Sequence, residues 1–278
     1  MSRIEYSLFR AKFIKNPQGH LFSTGKSPEQ ILLRAIKEKP SVQMRAGYEW
    51  HIGNVELFSA HEGYFAVGRT TNATVEKFDS VTGNFVLEEL ETSPYTHVVF
   101  NSEIGFLAIA RKNKLAPGPE SIAHQIERLL GRADAVLNSN VYVEVLPIRD
   151  PKGFLKELQS AYRIRRFTAT FRGPNPFDAD KLFQKPLAVY LKAAEGTEGK
   201  TEIKGENLNC ETLTEVTRST AATGNEASAR ILPRKGQPPA TINLSGDPVK
   251  KTYEEPAHDP KKVVKDMERI YDEVRKND

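Results

Sequence analysis

Cysteine is nearly missing. Cys210 is the sole one in 278 residues, so the chain builds no internal disulfide framework and no cysteine-based zinc site. Long apolar runs are missing too: Gly105 to Ala110 is typical of the longest, against the roughly 20 residues a membrane-spanning helix needs. The opening residues Met1 to Tyr6 are charged and strand-like, unlike a secretory leader, and the expected location is the cytoplasm. There is no Gly-x-Ser-x-Gly elbow, no Walker loop and no dinucleotide fingerprint. The six histidines (20, 51, 61, 97, 124 and 258) form no His-x-x-x-His pair, which argues against zinc. Cys210 follows Asn209 with no base nearby in sequence and reads as a structural helix-start residue. His97 reads as a core histidine.

Charge layout and element order carry the information that remains. At 27% charged and 38% hydrophobic, the composition is that of a folded chain and excludes wholesale disorder. The net charge of +4 is mild, but it is unevenly spread. Between Ala73 and Glu103, Glu76, Asp79, Glu88, Glu89, Glu91 and Glu103 face one base, Lys77. Between Arg149 and Arg172, the bases Arg149, Lys152, Lys156, Arg163, Arg165, Arg166 and Arg172 face Asp150 and Glu157. A second basic window runs from Arg218 to Lys251 and includes Arg230, Arg234 and Lys235. Two basic segments folded onto one surface would bind a polyanion; solvated faces are the plainer reading. The acidic stretch would lie elsewhere, or turn toward the basic face of a second copy.

The element pattern is α+β, an antiparallel meander with packed helices, a smaller α+β region and a C-terminal helix. Arg3 to Ile14 reads as a strand. A helix follows, with Ser27 as N-cap, Pro28 at the first helical position and Gln30 closing a capping box. Strands are expected at Glu49–Phe58, Gly63–Thr70, Thr74–Phe78, Asn84–Leu90, His97–Phe100 and Ile104–Ala110, then a helix at Pro119–Leu130. Strands at Val141–Ile148 and Tyr162–Arg172 flank a short helix begun by Asp150-Pro151. Gly173-Pro174-Asn175-Pro176 reads as a hinge. A helix over Asp178–Ala193, kinked at Pro186, then a strand at Thr201–Asn207 and a helix at Thr212–Ala222 follow. Ala227–Leu232 and Thr241–Leu244 form a hairpin, and a polar linker with Pro248, Pro256 and Pro260 leads to a terminal helix. Domains are expected at 1–140, 141–257 and 258–278. The terminal stripe Val263, Val264, Met267, Ile270, Tyr271 and Val274 is amphipathic and either holds a homodimer or docks on its own chain.

One arrangement has the order of a metal-dependent nuclease: Asp178 or Asp180, then Glu202-Ile203-Lys204, carboxylates for Mg²⁺ and a lysine for the attacking water. Such acid-x-Lys triplets also begin at Asp150, Glu198 and Asp259, no more than chance provides with this composition. The arginine strand is more distinctive. Simple alternation puts Arg163 and Arg165 on one face and Arg166 on the other, suited to sequence-independent phosphate contacts.

Several segments together resemble the RexA family of phage-exclusion proteins, which are of nearly the same length. They are Glu49 to Ile52 and Tyr64 to Thr70, Val98 to Phe100 with Ile104 to Arg111, Val143 to Pro147, and Ala227 to Thr241 around Arg234-Lys235-Gly236. The family strand before the late helix is lysine-rich, whereas here Lys200 and Lys204 alternate with Glu202 and Glu206. The resemblance implies a non-enzymatic homodimer without cofactor that binds double-stranded DNA, senses infection and signals to a membrane effector encoded nearby. Taken with the basic windows, the expected DNA contacts are Arg149, Lys152, Lys156, Arg163, Arg165, Arg172, Lys200, Lys204, Arg230, Arg234 and Lys235. A nuclease using Asp180, Glu202 and Lys204, or a protein-interaction subunit, is the alternative.

Overall fold

Strand β1 (Arg3–Lys15) is long enough to serve two partners along one edge, and the fold is organised around it. The computed structural model describes residues 3–15, 26–45, 47–172, 183–255 and 258–275. Among these the chain forms thirteen strands and seven helices, an α+β fold of antiparallel sheets. One edge of β1 pairs with β7 (Phe106–Ala110). The other takes β13 (Lys250–Glu254) along residues 3–7 and β8 (Val141–Pro147) along residues 9–15. The two segments meet at Leu8, whose N–H donates to Val249 O at 2.9 Å while its carbonyl accepts from Ile148 N at 3.0 Å.

Beyond β7 the large sheet continues through β6 (Tyr95–Asn101), β4 (Glu62–Asp79) and β3 (Tyr48–Leu57) to β2 (Ser41–Arg45). β4 is one strand where two were expected. β3 accompanies it only to Thr70 and β6 pairs only up to Gly68. From Thr71 onward its partner is β5 (Asn84–Thr92), so residues 71–92 leave the sheet as a two-stranded arm.

Helices α1 (Pro28–Lys37), α2 (Pro119–Leu130) and α3 (Asp134–Leu137) cover one face of the sheet, over Phe9, Phe13, Phe65, Val67, Leu107 and Ile109. α1 starts as its sequence predicts: Gln30 N donates to Ser27 Oγ at 3.3 Å, and Ser27 N to Gln30 Oε1 at 3.4 Å. On the opposite face, Tyr6, Leu8, Phe106 and Ala108 pack under α4 (Lys152–Ser160), α6 (Cys210–Ala222), α7 (Pro260–Arg275) and the inner side of a second sheet. That double coverage explains Phe106 to Ala110, five consecutive buried apolar residues, since a strand buried on both faces has no reason to alternate.

The second sheet has the order β10 (Glu198–Lys204), β9 (Arg163–Arg172), β11 (Ala227–Leu232), β12 (Ala240–Asn243). α5 (Gln184–Ala193) begins so late that Pro186 falls in its first turn, where a missing N–H costs no intrahelical bond. The expected boundary at residue 140 precedes β8, which returns to the large sheet beside β1. The expected polar linker likewise contains β13, which pairs with the start of β1. The hinge at 173–176 and Asp178 and Asp180 lie outside the described residues. Among the described residues, no helix is long and apolar enough to cross a membrane.

Candidate nucleic-acid interface

The outer face of the second sheet is assembled from the basic windows, with one change of parity. In β9, Ile164, Phe167, Ala169 and Phe171 are buried, a spacing of three and then two. A bulge accounts for it: β11 pairs Arg230 with Arg166 and then Ile231 with Ile164, skipping Arg165. Arg163 therefore shares the outer face with Arg166, Thr168, Thr170 and Arg172. Simple alternation, which separated Arg166 from Arg163, fails at this point.

The register lines up Lys204, Arg166 and Arg230 directly across three strands. Like charges so placed repel, and Glu202 relieves two of them, at 2.7 Å from Lys204 Nζ and 3.4 Å from Arg166 Nη1. Those cations, Lys204 first, hold the Glu202 carboxyl below the usual carboxylate range. Arg163 and Arg165 both reach Glu206, at 3.9 and 3.7 Å, and Arg163 also lies over the Tyr162 ring. These pairs are exposed and so contribute little to stability. Arg230, with Arg234 and Lys235 in the turn beyond it, makes no ion pair among the described residues. Lys152 and Lys156 sit on α4, whose Phe154, Leu155 and Leu158 pack behind the sheet, so the structure separates them from this face.

At the far end of β9 the face becomes a groove. Two adjoining clefts of about 390 and 350 Å³ share Arg149, Thr170, Lys200 and Glu226, with Arg172, Asn225, Ser228 and Asn243 among the other lining residues. Arg149 enters from the end of β8, where it bridges Pro248 and donates to Gly246 O. Arg172 ties the sheets together: Nη1 lies 2.5 Å from Glu144 Oε1 on β8, and Nε lies 3.2 Å from Glu198 Oε2.

Beneath this groove lies a feature that the sequence reading missed. Residues 10 and 12 of β1 lie on the face covered by the second layer, and both are buried cations. Arg10 donates to Tyr271 Oη at 2.8 Å. Lys12 donates to Asn225 Oδ1 at 2.6 Å, across from the Asn225 loop that lines the groove. Burial, reinforced by the nearby Arg10, pushes the Lys12 pKa down to about 7, and Glu144 opposes that shift. The loop can come this close because Gly224 takes φ +64° and a Cβ there would stand 3.0 Å from Leu146 Cβ.

The face therefore presents fixed positive charge beside Ser and Asn donors. Glu202 and Lys204 are present but engaged with each other, and among the described residues no group of three His, Cys, Asp or Glu side chains is placed to hold a metal ion. Alternation from Phe167, Ala169 and Phe171 already turns Thr168 and Thr170 to this face; only the bulge brings Arg163 to it. No protein-family model matches the chain, and no curated protein matches it.

Proposed function

We propose that this chain binds the backbone of double-stranded DNA through the outer face of the second sheet, largely without regard to sequence and without catalysing a reaction. The observation that carries this reading is the cationic track on one open sheet face, from Arg163, Arg166, Lys204 and Arg230 to Lys200, Arg172 and Arg149. From Arg166 to Arg172 it extends about 20 Å at strand rise. Beside the cations the face offers Ser228 and Asn243, hydrogen-bond donors suited to phosphate and sugar oxygens. Bases of a single strand would instead call for aromatic rings to stack upon. The likeness to phage-exclusion proteins supplies the setting we infer: a cytoplasmic homodimer that senses infection and signals to a membrane effector encoded nearby.

The test is a salt-titrated binding assay with random-sequence duplex DNA. Binding that weakens with salt, by about 0.9 in log–log slope per phosphate contact, supports the reading. Absence of binding at about 50 mM salt, where such contacts are strongest, overturns it.

A further inference from the structure

The arm formed by residues 71–92 lies outside both hydrophobic cores, yet it carries large apolar side chains. Phe78, Phe85 and Leu87 are 55%, 81% and 73% exposed. The β4–β5 register pairs Phe78 with Phe85 and Glu76 with Leu87, so these residues share one face of the ribbon. The same face bears Glu89 and Glu91, opposite Thr74 and Asn72. Lys77 is the arm's only base and is spent on Glu88, 3.0 Å away on the other face. Glu76, Glu89 and Glu91 thus surround the apolar cluster without an ion pair among the described residues.

The arm is built to hold its shape. Asp79 accepts from Val81 N at 2.9 Å and from Thr82 Oγ1 at 2.9 Å, and Gly83 N donates to Asp79 O at 2.8 Å. Phe78 and Phe85 meet edge-on at 5.3 Å. A lone two-stranded ribbon is marginal in water, and an exposed apolar cluster with a charged rim is the composition of an interface.

The complementary surface is on the same molecule. The outer face of the second sheet is rich in guanidinium groups, which pair with carboxylates and stack on aromatic rings. Nine paired positions give the arm about 27 Å of length, close to the roughly 30 Å of β9 from Arg163 to Arg172. We propose that the Phe78–Phe85–Leu87 face of the arm docks on the arginine-rich sheet face of a second copy, so that self-association and DNA compete for one surface. The competition rests on the DNA-binding reading; the docking does not.

Sedimentation of the full chain without DNA, at low and high salt, tests the docking. Three variants accompany it: Phe85→Ser/Leu87→Ser and Glu89→Lys/Glu91→Lys on the arm, and Arg230→Glu/Arg234→Glu on the sheet. All change exposed residues, and melting curves verify folding. The expected result is self-association that weakens with salt and falls about tenfold or more in every variant. A monomeric wild type, or arm variants that associate like wild type, overturns the docking, and the arm's partner is then another protein. Loss in the arm variants alone, with the sheet variant unaffected, also overturns it. In a DNA-binding assay at fixed protein concentration, the Phe85→Ser/Leu87→Ser variant, which leaves the charge unchanged, should bind several-fold more tightly than wild type. Unchanged affinity overturns the competition, while a wild type that self-associates but binds no DNA leaves the docking standing and removes the DNA reading.

Discussion

Lys12 shows how one residue records the second layer. Its ordinary pKa of 10.5 applies in the unfolded chain, and burial lowers it to about 7 in the folded one. Between those values the unfolded chain binds more protons, so stability rises with pH across the window; below about pH 7 both states are charged and the folded one carries the burial penalty. The effect is on the order of a few kcal/mol, at ~1.4 kcal/mol per pKa unit. Melting temperature should therefore climb from neutral toward alkaline pH, and Lys12→Met should flatten that rise. A wild type with no such rise would mean that the amine is solvated. The sequence marks Arg3 to Ile14 as a strand and carries no local sign that Arg10 and Lys12 are buried. Segments more than two hundred residues away meet them: Tyr271 of α7 at Arg10 and the Asn225 loop at Lys12.

At the scale of elements, local signals carried far. The capping box of α1, Asp150 ahead of α4 and Asn209 at the start of α6 each place a side-chain acceptor where backbone N–H groups lack one, and the structure shows all three in use. The bulge in β9 shows in the sequence only as the three-residue gap from Ile164 to Phe167; the register of β11 is what identifies it. It changes the expected binding surface. Arg166→Gln/Arg230→Gln should weaken DNA binding at every sequence and lower the salt slope by about 0.9 per residue lost. Lys152→Gln/Lys156→Gln, behind the sheet, should leave that slope nearly unchanged. A slope altered by the helix pair and not by the sheet pair would move the binding face to α4.

At the scale of the whole molecule, α7 closes the second layer. Of the two expectations for the terminal stripe, docking on its own chain is the one the structure shows: Val263, Val264 and Met267 are fully buried against α6 and the large sheet, and Tyr271 nearly so. Asn101 Nδ2 donates to Glu268 Oε1 at 2.6 Å, and Arg218 Nη1 donates to Glu273 O at 3.0 Å, pinning the helix to both of those elements. Met267→Ala should cost about 2–5 kcal/mol, the range for large-to-small changes in a core. Denaturant unfolding of the purified protein checks it, and a loss under about 1 kcal/mol would show that the site collapses on the vacancy.

What the sequence determined by itself was the class of fold, most of the elements, the two basic windows and the acidic stretch at 73–103. Periodicity, caps and composition are local quantities, and they can be read one residue after another. The tertiary structure decided which edge each strand joins, and with it everything about the candidate surface. β13 hid in an apparent linker because its pairing with β1 spans almost the whole chain. The arm became an arm because β3 accompanies β4 only to Thr70 and β6 only to Gly68. Arg163 and Arg166 came to share a face through a bulge set by a partner strand some sixty residues on. Pairing and burial are properties of two segments at once, and no single stretch of the chain contains them.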